Sequence, residues 1–467
     1  MFRKVMVLIA GSLMLAAPAM AAEIPQVATQ APAYNCDYQP SCEVAPGYYG
    51  KISSNVTSKF NLSIGGYVRL DYAYNSQNLG ANGFVLPGKV GGSVNAEGST
   101  AYKEDQSILS ARISRVWLKV AGPTFLGAKT NALIEADFLG GGNTNNEEGN
   151  LRLRHAYGTL DWPNTQIMFG QFWDIFGPAA ASTVDFRQGA TFGTPNSPRI
   201  AQFRITQKLN FNDNNLLKFV LGVQNPAADQ QNGGGVTGGI NGGNVPNVAG
   251  QIMFVSKALG VAPGFYGMSL NSLQAGFFGL WGSEKATISA AVQRNIDVYG
   301  YGFYAFVPII RSSDGKSRAM TMSLETQAYI SAGMNWNGAN ASTGLTATAF
   351  SAATNANGPC FTKTGSSAKG YGLYAQIIFY PIQDLGITAG YERRNAINYG
   401  TFNNAVANTF EQFNELIYAN ASYDFNAAVR LSAEYLHAKT QFGNAPLAGQ
   451  GKFGQLNGTR IAAYYFF

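Results

Sequence analysis

The chain has 467 residues and a formal charge of +6, with charged residues at 12%, aromatics at 13%, and Gly (55), Phe (30) and Tyr (24) abundant. So few charges beside so many aromatics exclude a disordered or strongly solvated chain, and so modest a charge, with no run of five like charges, gives nucleic-acid binding no support. Past the amino terminus no apolar stretch approaches membrane-helix length, which excludes crossing by helix.

The first residues, MFRKVMVLIAGSLMLAAPAMAAE, combine a basic start (Arg3, Lys4), an apolar run from Val5 to Ala17 and Ala19-Met20-Ala21 ahead of Ala22. This pattern predicts a secretory signal peptide over residues 1–21, cleaved after Ala21, because the apolar run is too short to span a bilayer. Residues 22–57 are rich in Pro, Ala, Gln and Tyr and lack periodicity, which reads as a periplasmic lead-in. They hold Cys36 and Cys42, and in an oxidising compartment this near pair predicts a small disulfide loop, with Cys360 left alone in a Gly/Ser/Asn-rich stretch. His155 and His437 lie far from these cysteines in sequence, so neither a metal site nor a cofactor is expected.

The pattern changes at KFNLSIGGYVRLDYAYN, where Phe60, Leu62, Ile64, Gly66, Val68, Leu70, Tyr72 and Tyr74 share one face and Asn61, Ser63, Gly65, Tyr67, Arg69, Asp71 and Ala73 the other. Soluble strands average about 5 or 6 residues, whereas a tilted membrane strand needs about 9 to 11. The same rhythm recurs in AKTNALIEADF, IAQFRITQKLNF, NLLKFVLGVQ, MTMSLETQAYISAGMNW, YGLYAQIIFY, GITAGYERRN, FNELIYANASYDF and AVRLSAEYLHA. SARISRVWLKV switches face between Arg112 and Val116, as a bulge would make it do. About 16 such segments are counted, with ISAAVQRNIDVYGYGFYAFVPII readable as one strand or two. LDWPNTQI, NFNDNNLL, YPIQDLGI and YDFNAAVR read as tight turns, while residues 75–106, 226–247, 337–369 and 396–412 are long Gly/Asn/Ser/Ala-rich connections. Short turns on one rim and long loops on the other predict an all-β fold over residues 58–467, a transmembrane antiparallel β-barrel.

The chain ends RIAAYYFF, with Ile461, Ala463, Tyr465 and Phe467 at every second position. Backbone groups in lipid must all be paired, so the last strand is expected to close the sheet against the first, near residues 60–74, with this greasy face toward lipid. A soluble β-sandwich can also end on an aromatic strand. Tyr72, Tyr74, Tyr371, Tyr391, Tyr464 and Tyr465 near strand ends are candidates for an interfacial belt. The terminal pattern also resembles the signal read by the barrel-assembly machinery of Gram-negative bacteria.

LRLRHAYGTLDWPNTQIMFGQFWDIFGP carries the most specific likeness. Leu151 to Tyr157, then Gly170, Gln171 and Trp173, resemble the DcaP-like trimeric outer-membrane porin family, and ARISRVWLKV and ALIEADFLGGG upstream are similar to its preceding hairpin. The likeness covers about residues 110–174. The family's amino-terminal coiled coil is replaced here by the Pro-rich, Cys-containing lead-in. The resemblance implies a 16-stranded diffusion channel, usually a homotrimer, for small anionic solutes such as dicarboxylates. It further implies residence in the outer membrane of a Gram-negative cell, amid lipid and lipopolysaccharide.

In a barrel the polar face of each strand lines the lumen. Parity then gives basic candidates Arg69, Lys119, Arg152, Arg154, Arg204, Lys208, Lys218, Arg394 and Arg430, and acidic ones Asp71, Glu135, Asp137, Glu392 and Glu434. Arg and Lys lining a narrow, low-dielectric passage concentrate anions, and the Arg fork suits carboxylates. The opposing reading is that these charges only solvate the lumen and neutralise one another. DIFGPAAASTVDFRQGATFGTPNSPR, after Trp173, is too long for a turn; folded inward, it would set Asp174, Asp185, Arg187 and Arg199 at a constriction. There is no GxSxG, HExxH or P-loop, so no enzyme is expected. Two other readings stay open: a barrel sheathing a partner such as an electron-transfer cytochrome, and a secreted soluble β-protein or adhesin.

Overall fold

The computed structural model describes residues 50–52, 60–79, 94–140, 149–184, 199–225, 240–243, 246–289, 292–332, 369–397, 411–442 and 449–467. The expected signal peptide, the Cys36–Cys42 loop and Cys360 lie outside these residues, as do Asp185 and Arg187.

Sixteen antiparallel strands close into one barrel: β1 (Asn61–Asn75), β2 (Gln106–Ser110, resuming as Arg115–Ala121), β3 (Lys129–Gly140), β4 (Asn150–Asp161), β5 (Thr165–Trp173), β6 (Arg199–Asn210), β7 (Asn215–Gln224), β8 (Asn247–Pro263), β9 (Leu270–Ser289), β10 (Val292–Ile310), β11 (Thr321–Ala332), β12 (Lys369–Ile382), β13 (Leu385–Ala396), β14 (Glu411–Asp424), β15 (Val429–Phe442) and β16 (Phe453–Phe466). The segment left open as one strand or two is divided: its first residues end β9 and the rest form β10. β16 seals the wall against β1, from Gly458 opposite Asn75 to Phe466 opposite Tyr67. Phe467 and Gly66 then exchange backbone hydrogen bonds at 3.0 and 3.1 Å. Below that point the edge of β1 is not bare, because Gly50–Ile52 pairs with it, Gly50 opposite Ile64 and Ile52 opposite Leu62.

Side chains alternate in and out along each strand. The outer set is apolar and exposed around the circumference, including Val68, Ile134, Phe203, Leu221, Ile252, Phe277, Ile377, Ile417 and Leu431. A soluble protein rarely exposes more than a few hundred Å² of contiguous apolar surface, so this girdle marks the barrel as membrane-spanning. Ile461, Tyr465 and Phe467 lie exposed on it, as their parity required. Tyr464 does not: it is buried inside, stacked on Phe466, because even positions of β16 point inward. Its assignment to the interfacial belt is therefore corrected.

Two irregularities shape the lumen wall. β2 breaks at residues 111–114, where the switch of face had been expected, and Ser114 supplies what the ladder loses there. Its hydroxyl accepts from Arg69 N–H at 3.0 Å and donates to Arg69 C=O at 3.4 Å, so the backbone of Arg69 keeps partners across the break. In β4 a bulge lies between the Glu135–His155 and Ala136–Leu153 pairs, with Arg154 as the extra residue. Arg154 and His155 are consequently both buried toward the lumen.

Apart from the two-residue link between β9 and β10, the short connections share one rim. Asn212 Oδ1 accepts from the N–H groups of Asn214 and Asn215 at 3.0 and 2.9 Å, and Asn426 Oδ1 from those of Ala428 and Val429 at 2.8 and 2.9 Å. These side-chain turns let the chain reverse within a few residues. The long connections all fall on the opposite rim.

Candidate functional site: the lumen and its inserted segment

After Trp173 the chain turns into the barrel, and residues 174–184 are all buried. Gly177, at φ 91°, takes a backbone conformation open to glycine at little cost, just ahead of Pro178. The segment crosses from β5 to the far side of the bore, and side chains of successive strands hold its backbone. Gln224 of β7 accepts from Ile175 N–H at 3.1 Å, and Gln251 of β8 donates to Ile175 C=O at 2.7 Å. Gln327 of β11 accepts from Ala179 N–H at 3.4 Å, and Gln376 of β12 from Ser182 N–H at 2.8 Å. Asn420 of β14 donates to Ser182 C=O at 2.6 Å, Glu434 of β15 accepts from Val184 N–H at 2.7 Å, and Arg69 of β1 donates to Val184 C=O at 2.7 Å. An irregular segment at membrane depth is tolerable only if its polar backbone finds such partners.

Apolar packing adds to this. Phe176 is fully buried, edge-on to Phe278 at 5.0 Å and to Tyr329 at 5.9 Å. Ile175, Ala179 and Ala181 join Phe278, Leu280, Tyr304, Tyr374, Leu416, Tyr418 and Leu436 in one cluster. The segment therefore lies against β7–β15 and narrows the bore from that side.

The wall formed by β1–β4 is charged. Arg69 pairs with Asp71 at 2.5 Å and lies over the Tyr464 ring at 4.8 Å. Arg152 binds Asp137 through two hydrogen bonds, at 2.9 and 2.6 Å. Arg154 bridges Glu135 at 2.5 Å and Asp137 at 2.8 Å, and Arg115 approaches Glu135 at 3.7 Å. Three guanidiniums thus share two carboxylates. The β4 bulge places His155 beside this network, among Phe172 at 5.0 Å, Trp173 at 5.5 Å and Tyr157 at 6.2 Å.

Most of the parity-derived candidates are buried at inward positions, while Lys119, Arg152 and Lys208 are half-buried. Arg204 is buried over the Phe172 ring at 4.7 Å, and Lys208 lies half-buried nearer the short-turn rim. Arg394 and Glu392 are buried on the inward face of β13. Arg430 is held by Asp424 at 2.5 and 3.0 Å, where Arg318 also reaches Asp424 at 3.3 Å. Of the constriction candidates, Asp174 is buried at the root of the inserted segment and Arg199 stacks on Trp173 at 4.9 Å. The structure thus gathers Arg69, Glu135, Asp137, Arg152 and Arg154 on one wall and leaves Arg394 and Arg430 on another. His437 points outward and meets Asn457 at 2.9 Å, so the two histidines share no site. Among the described residues, no group of three or more His, Cys, Asp or Glu could hold a metal.

Sequence reasoning missed the amides that seat the segment. The available signal was modest: Gln224, Gln251, Gln327 and Gln376 each occupy an inward position on an otherwise ordinary strand. It also missed His155, because a bulge reverses parity without marking the residues that follow.

No family model matches the chain, and no curated protein matches it. Solved structures do. The outer membrane channel DcaP of Acinetobacter baumannii aligns over 90% of this chain and 100% of its own, with a TM-score of 0.63 and 19% identity. The chain has the fold of a sixteen-stranded porin. An anion-selective porin from Comamonas acidovorans (TM-score 0.51, 10% identity, 87% of this chain and 100% of that one) shares it. So does Salmonella typhi OmpF, solved with daunomycin (TM-score 0.50, 11% identity, 88% and 98%). An even-stranded closed barrel with an apolar outer girdle is the architecture of the Gram-negative outer membrane, and that is where this chain belongs.

Proposed function

We propose that the chain is a water-filled diffusion channel for small hydrophilic solutes, with a preference for anions. The observation that carries this reading is the inserted segment, fastened across the bore by seven side chains and packed against the wall that faces the arginine-rich strands. A sheath for a folded partner would need that bore clear. Anion preference rests on the cations that parity directs inward, acting through a low-dielectric wall that focuses their field. The DcaP and Comamonas acidovorans channels share only the fold, and the anion selectivity of the second agrees with this reading.

Homotrimeric assembly, lipopolysaccharide contact on the outer girdle and delivery by the barrel-assembly machinery through the Phe467 strand belong to the same proposal. The purified, detergent-extracted protein in a planar bilayer is expected to give stepwise conductance that falls in thirds. With acetate, succinate or phosphate as permeant, reversal potentials should lie on the anion side. A silent bilayer overturns the reading.

A further inference from the structure

We infer that residues 94–97 form a second constriction, at the long-loop mouth of the bore, which acts in series with the mid-bore segment and screens solutes by size. The inference rests on the channel reading above and adds the element that a solute entering from the long-loop side meets first.

The first observation is a notch in the wall. Along β15 and β16 the even positions face inward, and Leu436, Thr440, Phe442 and Leu456 fill theirs with side chains. Gly454, the ladder partner of Thr440, is buried at such a position with none. A Cβ at Gly454 would collide with Asn95 C=O and lie 2.9 Å from Val94 C=O. Backbone from the long connection between β1 and β2 therefore takes the space of a side chain, an approach that demands glycine in the strand.

The second is fastening. Thr440 Oγ1 accepts from Val94 N–H at 3.2 Å and donates to Asn414 Oδ1 at 2.5 Å. Gln77, fully buried just past β1, accepts from Asn95 N–H at 2.8 Å and donates to Asn95 C=O at 3.3 Å. Glu97 N–H donates to Phe453 C=O, and Glu97 C=O accepts from Gly451 N–H, both at 2.7 Å. The Val94 side chain is fully buried in the cluster that holds Leu436, Ala438 and Leu456. An amide and a hydroxyl thus seat this backbone as Gln224, Gln251, Gln327 and Gln376 seat the mid-bore segment.

The third is level. Thr440 lies six residues along β15 from Glu434, which holds Val184, and at strand rise that is about 20 Å. Two inserted pieces therefore meet the same strand, one at mid-bore and one near its long-loop end. Val94, Asn95 and Ala96 carry no charge, so this one acts through the width it leaves, which is one determinant of pore selectivity.

Planar-bilayer recording and liposome swelling of the full-length protein test this, with barrel closure of each variant checked by heat-modifiable migration. Gln77→Ala breaks both hydrogen bonds to Asn95, and each bond lost should shift the balance between seated and released segment about fivefold. The variant should spend a share of its time at a higher conductance level that is larger by at least that factor. Swelling in raffinose should gain on swelling in arabinose. Gly454→Ala, which leaves Gln77 intact, should do the same, as should Thr440→Val in smaller measure. Thr440→Ser keeps the hydroxyl and should match the parent. Resistances in series add, so Gln77→Ala combined with Phe176→Ala should conduct more than either variant alone. A conducting parent whose Gln77→Ala and Gly454→Ala variants keep its conductance and its sugar ratio overturns the second constriction and spares the channel reading. A parent that gives neither conductance nor swelling overturns both.

Discussion

Along β1–β4 the inward positions hold Arg69, Arg115, Arg152 and Arg154 against Asp71, Glu135 and Asp137. Along β8–β15 they hold Gln251, Tyr304, Gln327, Tyr374, Gln376, Leu416, Tyr418 and Leu436. Both walls use the same alternation, yet one is built from ion pairs and the other mainly from amides, phenols and aliphatic groups, with Glu325, Glu392, Arg394, Arg430 and Glu434 set among them. The difference follows what each wall faces. A charged wall facing the bore can act on ions in it, whereas a wall that seats an inserted segment needs donors and acceptors, mostly amides here with Glu434 among them, beside apolar surface. The segment confirms the division by its composition: Ile175, Phe176, Ala179, Ala180 and Ala181 suit the second wall and would leave the first unsatisfied.

The largest predicted effect breaks the charged wall. Arg154→Ala removes the 2.5 Å partner of buried Glu135 and leaves it only Arg115 at 3.7 Å, while Asp137 keeps Arg152. Stranding one charge of a buried pair costs about 3–5 kcal/mol. Urea unfolding in detergent micelles should show a loss of that size. Replacing Arg154 and Glu135 together should cost less, because no unpaired charge is then left buried. Equal losses in the single and double variants would mean that packing, not charge, is what Arg154 provides.

The second prediction breaks the neutral wall. Phe176→Ala removes the ring lodged against Phe278 and Tyr329, and truncating a buried Phe costs at least about 3 kcal/mol. Phe176 contributes no strand pairing, so the cost falls on docking of the segment and not on closure of the barrel. Single-channel conductance should rise and become noisier while heat-modifiable migration stays as in the parent. Unchanged conductance would mean that the segment does not limit the passage.

These two walls were unequally legible in the sequence. Part of the charged one followed from parity, which singled out Arg69, Glu135, Asp137, Arg152 and Arg154; Arg115, just past the break in β2, was not among the candidates. The strand count, the break at residues 111–114 and the closure by Ile461, Tyr465 and Phe467 came from the same rhythm. The seating of the segment could not be read, since Gln376 meets Ser182 across 194 residues and Glu434 meets Val184 across 250. Nothing local to either residue encodes such a partner. His155 was lost for a different reason: a bulge changes phase, and the pattern of LRLRHAY does not announce where. Tyr464 was misplaced because an aromatic residue suits the lipid boundary and a packed lumen equally well, and only its even position separates the two.

The smallest predicted effect sharpens the comparison by moving the same chemistry outside. On the outer face Arg393 meets Glu415 at 3.2 Å, Tyr391 donates to the same carboxylate at 3.0 Å, and Arg393 lies over the Phe413 ring at 4.3 Å. The geometry resembles that of Arg154, but both side chains keep part of their surface open. A partly exposed pair is screened and rehydrates readily once broken, so Arg393→Ala should cost about 1 kcal/mol or less in the same urea titration. The ratio between the Arg154 and Arg393 losses then measures how dry the charged wall is. If the two losses coincide, water reaches Glu135 as freely as it reaches Glu415, and the lumen wall exerts its field through a far higher dielectric than its burial implies.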